Sequence, residues 1–197
     1  ATAGVLLTSA VSLFARPQTI LHDKKMQSGS EDEAVAALTR DLLPRAAVLT
    51  PNLPEAARIL GAPPALSAHA MIGQGESLLP LGPRAVLMKG GHGAGEDCVD
   101  FLIARDAPAI AFRAERLETR NTHGTGCTLS SAVAAGLAKG LDLVQATGEA
   151  HAYLQGAIRT ADGLMIGAGH GPVHHFHNWW PSAANSAAAD NAEAGAP

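Results

Sequence analysis

Short apolar runs alternate along this chain with longer stretches whose apolar positions recur at helical spacing. Residues 3–7, 19–21, 46–50 and 85–89 are apolar runs of strand length, and they read as buried strands. Between the first two, Val11 and Phe14 sit three apart with Thr8 or Ser9 as N-cap, and Pro17 stops that helix. A polar loop spans 22–30. Ser30 then caps a helix whose first turn holds Glu31, Asp32 and Glu33, where the helix dipole favours anions. Val35, Leu38 and Leu42 form its apolar face, and Pro44 lies beyond its end. Pro51-Asn52-Leu53-Pro54 is a turn, and Pro54 suits the first position of a helix over 55–60 that Gly61 ends. A weaker helical pattern covers 68–81 and stops at Gly82-Pro83.

In the second half, 98–103 and 109–113 form a strand pair around a polar turn at Asp106. Residues 121–126 are a Gly-containing loop, and 128–137 and 144–161 are helices. Residues 167–180 are rich in Gly and His. From Pro181 onward no large apolar residue occurs, a composition that does not order by itself. The expectation is one domain over 1–180 and a disordered Ala-rich tail over 181–197. Repeated strand–helix alternation predicts an α/β layered fold with a mostly parallel central sheet. Ligands of such sheets lie beyond the carboxyl ends of the strands. The loops after Leu49, after Met88 and at Asn121 fall at that edge.

Composition narrows the classes. With 47% hydrophobic and 16% charged residues, the chain of 197 is not disordered throughout. Aromatic residues are only 4%, so Ala, Leu and Val carry the apolar content, as in Ala-rich helices packed on a sheet. A net charge of −4 offers no basic field for a nucleic-acid backbone. No apolar run reaches the ~18 residues of a membrane span, so no membrane partner is expected. Residues 1–15 are apolar but lack a basic n-region and an initial Met, and read as the middle of a domain whose beginning is absent. Cys98 and Cys127 could form one disulfide but no framework, and a reduced, cytoplasmic setting is the simpler expectation.

Four segments carry chemistry. The first is Asn121-Thr122-His123-Gly124-Thr125-Gly126-Cys127-Thr128-Leu129-Ser130-Ser131. Two glycines two apart let backbone N–H groups converge just before a helix, whose N-terminus adds free N–H groups and partial positive charge. The product is an anion hole suited to phosphate and to phosphoryl transfer. Cys127 at the helix start favours thiolate; the plainer alternative is a tight loop before a core helix with a small buried Cys. In the second, Asn52 and Glu55 stand three apart across a helix start. Their oxygens could organise Mg²⁺ through water, or they could form a capping box. In the third, Lys89 ends a strand before Gly90-Gly91 and could reach a nucleotide phosphate, or be a solvated lysine at a turn. The fourth, Gly169-His170-Gly171-Pro172-Val173-His174-His175-Phe176-His177 with Trp179-Trp180, has no finger-like second ligand pair. It reads as a packed segment whose Trp pair covers apolar surface rather than as a metal site.

In order, Thr-Pro-Asn-Leu-Pro-Glu-Ala, Val-Leu-Met-Lys-Gly-Gly-His, Asn-Thr-His-Gly-Thr-Gly-Cys-Thr-Leu-Ser and Gly-His-Gly-Pro-Val-His-His-Phe-His resemble one family. It is the hydroxymethylpyrimidine/phosphomethylpyrimidine kinase of thiamine biosynthesis, and the resemblance covers about 45–180. Most ribokinase-like relatives carry Asp where this chain has Cys127. The resemblance implies a ribokinase-like three-layer sandwich and ATP-dependent phosphorylation of a small-molecule substrate, 4-amino-5-hydroxymethyl-2-methylpyrimidine, and of its monophosphate. It implies Cys127 as catalytic base and the amides of Gly124, Thr125, Gly126 and Cys127 as anion hole. Asn52 and Glu55 would organise Mg²⁺, Lys89 would contact ATP phosphates, and Asn121 and Thr122 would flank the nucleotide.

The departures are at the start. The family's Gly-rich first-strand segment has no counterpart, so the fold is expected to be N-terminally truncated. Val5 stands where the family has a Met against the pyrimidine, and Asp23 stands loosely for the Asp of a substrate loop. A missing layer would leave a sheet edge and an apolar face uncovered, which admits a homo-oligomer. Two other readings stand beside the kinase: a nucleotide-binding fragment or subunit impaired in turnover, and a pyridoxal-type vitamin kinase, which predicts Asp at position 127.

Overall fold

The structure is a computed structural model that describes residues 11–12, 31–91, 97–164, 166 and 169–180. The opening strand, the run at 19–21, Val5, Asp23, the helix cap at Ser30 and the tail lie outside the described residues. The helix expected around Val11 is corrected at the two positions described there: Val11 and Ser12 form a strand, because they pair antiparallel with Leu49 and Val48 at the sheet's edge instead of closing a helical turn.

A five-stranded sheet forms in the order β1 (Val11–Ser12), β2 (Val48–Leu49), β3 (Ala85–Met88), β4 (Asp97–Ala104), β5 (Ile110–Glu115). Only β2 and β3 pair in parallel; β1–β2, β3–β4 and β4–β5 are antiparallel. The described sheet is therefore mixed, where strand–helix alternation predicts mostly parallel pairing. The reason is local. The β4–β5 hairpin turns at Asp106, which adopts φ 56, so the chain returns without a helical crossover.

β2 and β3 are apolar on consecutive positions because both faces are covered. Leu49, Val86, Met88, Phe101 and Ile103 point to one side and pack with α2 (Leu53–Leu60) and α3 (Ala68–Leu78). Val48, Ala85, Leu87 and Leu102 point to the other and pack with α4 (Thr125–Ala138) and α5 (Leu143–Arg159). That is helix, sheet, helix in three layers. Leu87 has no exposed surface. Leu87→Ala is expected to cost about 2–5 kcal/mol, read as a lower urea midpoint with an unchanged slope.

Helix boundaries follow their caps. The first helix, α1 (Glu31–Ala37), widens into a π turn over Leu38–Leu42 and a tight turn over Leu43–Arg45 instead of running regularly to Leu42. Asp142 caps α5 in a box with Gln145. The helix expected from 128 begins at Thr125, because Gly124 takes the left-handed φ of 87 and breaks the chain there. Thr125, Gly126 and Cys127 thus form a first helical turn, not a loop. Among the described residues no helix is long and apolar enough to cross a membrane.

Candidate active site

Three segments distant in sequence meet beyond the carboxyl ends of β2 and β3. The parallel pairing of these strands extends one step further, where the Lys89 N–H donates to the Pro51 carbonyl at 2.9 Å and Lys89 stands beside Asn52. Asn52 caps α2. Its Oδ1 accepts the Glu55 N–H at 2.8 Å, and Glu55 Oε2 accepts the Asn52 N–H at 2.8 Å. The spacing of these two residues thus makes a capping box. The box also aims the carboxylate: Glu55 is buried, and its Oε2 lies 3.9 Å from Lys89 Nζ.

Lys89 is not a solvated lysine, since only 8% of it is exposed. Burial pushes its ammonium below the ordinary lysine value, while the charges of Glu55, Asp100 and Cys127 hold it up. Those three groups come from α2, β4 and α4, so one buried cation lies within electrostatic reach of all the elements that converge here.

The first turn of α4 forms the other side of the site. Gly124 supplies no side-chain cap, so the N-terminal end of the helix presents backbone N–H groups and the positive end of its dipole. Cys127 is exposed on this turn, and both cysteines are free thiols. It borders a cavity of about 750 Å³ also lined by His123, Gly124, Thr128, Tyr153 and His175. His175 Nε2 is 3.0 Å from Thr128 Oγ1, and the Tyr153 hydroxyl donates to the His175 carbonyl at 2.8 Å.

Asn121 and Thr122 precede this turn. The Asn121 amide donates to the Ala161 carbonyl at 3.1 Å and to Asp162 Oδ1 at 2.9 Å, so the side chain is a strut between the loop and the turn after α5. Thr119 Oγ1 donates to the same Asp162 oxygen. Thr122 is exposed, and its carbonyl accepts the Thr125 N–H. His123 is tied to the C-terminal segment on both sides, through Gly171 and Val173.

The histidine-rich segment packs on α4 and α5. His174 is buried and stands edge-on to Trp180, and His177 lies against Tyr153. Among the described residues no group of three His, Cys, Asp or Glu is placed to hold a metal ion. The Trp pair covers less surface than expected: Trp180 stacks on Phe176 at 5.1 Å, but Trp179 is 81% exposed.

Sequence reasoning passed over Asp100 and His151. Asp100 sits in β4 within the apolar run Val99-Asp100-Phe101-Leu102-Ile103, and a carboxylate in such a run is itself a signal. It is buried, accepts the Gly90 N–H at 2.7 Å, and faces His151 of α5 at 3.0 Å.

Comparison with known proteins agrees with this geometry. The family model described as phosphomethylpyrimidine kinase matches residues 18–174. The hydroxymethylpyrimidine/phosphomethylpyrimidine kinase of Rhizobium meliloti is 53% identical over 148 residues, covering 75% of this chain and 55% of the relative. The enzyme of the same name from Escherichia coli is 46% identical over 168 residues, covering 83% and 63%. The chain therefore spans somewhat over half the length of these relatives. Among solved structures, the pyridoxal kinase of Bacillus subtilis in its ADP complex superposes with a TM-score of 0.69 at 33% identity, covering 74% of this chain and 56% of that one. Fold, site geometry and the match over 18–174 give one conclusion: the chain belongs to the phosphomethylpyrimidine kinase family.

Proposed function

We propose that this chain transfers the γ-phosphoryl group of ATP to the hydroxymethyl group of 4-amino-5-hydroxymethyl-2-methylpyrimidine, and then to its monophosphate, as in thiamine biosynthesis. The observation that carries the reading is the meeting of a buried Lys89, the capped Glu55 and the uncapped first turn of α4 bearing Cys127. Each has a role in phosphoryl transfer, which depends on placement and on charge stabilisation. Cys127, as the general base, takes the hydroxyl proton as the alcohol oxygen bonds to the γ-phosphorus. The bond from that phosphorus to the β–γ bridging oxygen breaks, and ADP leaves. The amides of Gly124, Thr125, Gly126 and Cys127 receive the charge on the transferring group. Lys89 holds the phosphates.

The donor set beside Lys89 fits Mg²⁺. Glu55 Oε2 is engaged by the Asn52 N–H, while Oε1 takes no hydrogen bond from the described residues. One carboxylate with water and phosphate oxygens is the usual magnesium environment. Asn52, whose Oδ1 caps α2, positions Glu55 there. Bound at Glu55, Mg²⁺ would screen the charge of the phosphates.

The lowered affinity of Lys89 for its proton gives a pH dependence. The ammonium binds phosphate only while charged, so ATP affinity is expected to fall as pH rises toward the ordinary lysine value of about 10.5, earlier than an exposed lysine would allow. Stability moves the other way. In that window the unfolded chain holds more protons on Lys89 than the folded one, so rising pH relieves the burial of its charge. Titrating ATP affinity against pH checks this, because Lys89→Met should flatten the alkaline limb.

Incubation of the chain with ATP, magnesium and the pyrimidine alcohol or its phosphate, followed by ³¹P NMR, tests the reading. Phosphorylated pyrimidine is expected in preference to pyridoxal phosphate when both vitamins are offered. ATP binding without any product would instead favour a nucleotide-binding unit that does not turn over.

A further inference from the structure

Lys89 is followed at once by Gly90, and the backbone there is held from two sides. A Cβ on Gly90 would collide with the Val99 carbonyl oxygen, so the turn after β3 lies directly on the β4 backbone. The antiparallel register sets Met88 opposite Phe101, which brings Asp100 alongside the two residues that follow Met88. Asp100 Oδ1 accepts the Gly90 N–H at 2.7 Å, and both residues are buried. Its other oxygen, Oδ2, lies 3.0 Å from His151 Nε2, and the His151 ring stacks on Phe112 with centroids 5.3 Å apart. Both carboxylate oxygens are thus engaged, one by the sheet edge and one by α5. A buried carboxylate held this way is rigid, since neither oxygen can rotate without leaving a buried donor unpaired.

We infer that Asp100, oriented by His151, is a positioning residue: it fixes the Lys89–Gly90 turn so that the Lys89 side chain is presented toward Glu55 and the first turn of α4. This rests on the phosphate-binding role given to Lys89 above. Asp100 acts through the backbone, one residue beyond the lysine. Its negative charge also lies within reach of the Lys89 ammonium. His151 couples the arrangement to α5, so the helix layer and the strand end that meet at the site are registered through one carboxylate.

The test has two readouts. The first needs no nucleotide: hydrogen exchange of the Gly90 amide by NMR. Asp100→Ala is expected to speed that exchange about ten-fold or more, while the amide of Leu87 within β3 stays protected. Asp100→Asn keeps an oxygen for the Gly90 N–H and should restore most of the protection. The second is ATP affinity by calorimetry in a double-mutant cycle with Lys89→Met. Asp100→Ala is expected to weaken ATP binding about ten-fold in the Lys89 protein and hardly at all in the Lys89→Met protein. A merely structural role would weaken both alike. Unchanged Gly90 exchange in Asp100→Ala overturns the inference, and so does an equal loss of affinity in the two backgrounds. An unaltered chain that binds no ATP sinks the phosphate role of Lys89 and with it the functional half of the inference, while the Gly90 exchange still decides whether Asp100 holds the turn. If Asp100→Ala fails to fold, His151→Leu, which leaves the carboxylate in place but removes its second partner, is measured by the same two readouts. It should speed Gly90 exchange and weaken ATP binding in the Lys89 background alone.

Discussion

Cys127→Ala is expected to lower kcat for pyrimidine phosphorylation by roughly 10²–10⁴, the range for losing a positioned general base. ATP affinity and the unfolding midpoint should hardly move. The thiol is exposed on the first turn of α4, so its removal opens no buried cavity. The amides that would hold the phosphoryl group belong to the backbone and survive the substitution. Cys127→Asp sharpens the test. It returns a proton acceptor to a first-turn position where the helix dipole favours an anion, and is expected to recover part of the rate that Cys127→Ala loses. Steady-state kinetics with ATP binding measured alongside checks both. A kcat unchanged by Cys127→Ala would remove the thiol from the chemistry and leave the α4 turn as a binding element only.

Gly90→Ala is expected to be strongly damaging for a single added methyl. The added carbon would meet the Val99 carbonyl oxygen, a backbone atom of β4 that cannot swing aside as a side-chain end can. Either β4 retreats, which strains its pairing with β3, or the turn lifts, which breaks the Gly90 bond to Asp100 and moves Lys89 away from Glu55. The loss should reach about 3 kcal/mol, the upper end for overpacking, together with weakened ATP binding. Gly91→Ala is the control: a Cβ there meets nothing within 4 Å, so stability should stay within ~0.5 kcal/mol. Urea unfolding of the two variants distinguishes a steric requirement at one glycine from a general need for flexibility at the pair. Equal midpoints for both would contradict the packing described for Gly90.

Much of this architecture is written in local pattern. Continuous apolar runs at 46–50 and 85–89 became buried β2 and β3 with their flanks, and the turn at Asp106 became a hairpin. Gly61 ends α2 in a left-handed conformation, as its position after an apolar helix suggests. Strand direction was less legible. A hairpin and a crossover can leave similar apolar runs, and only the connections and pairing partners settle which is which. The start of α4 was misplaced by three residues because glycine weighs against helix in any local reading. Here Gly124 breaks the chain and Gly126 does not.

Residue type and spacing alone make legible the chemistry available at the loop before α4, at the Asn52–Glu55 pair and at Lys89. The folded packing sets what those groups do to one another. It engaged the Asn52 oxygen in a cap, buried Lys89 against Glu55, turned Asn121 into a strut, and set Asp100 between Gly90 and His151. The physical reason is range. Propensity and capping act within a few residues along the chain, whereas burial and charge act through space. The value of a lysine or a carboxylate is set by neighbours that strand pairing and helix packing deliver from far away in sequence.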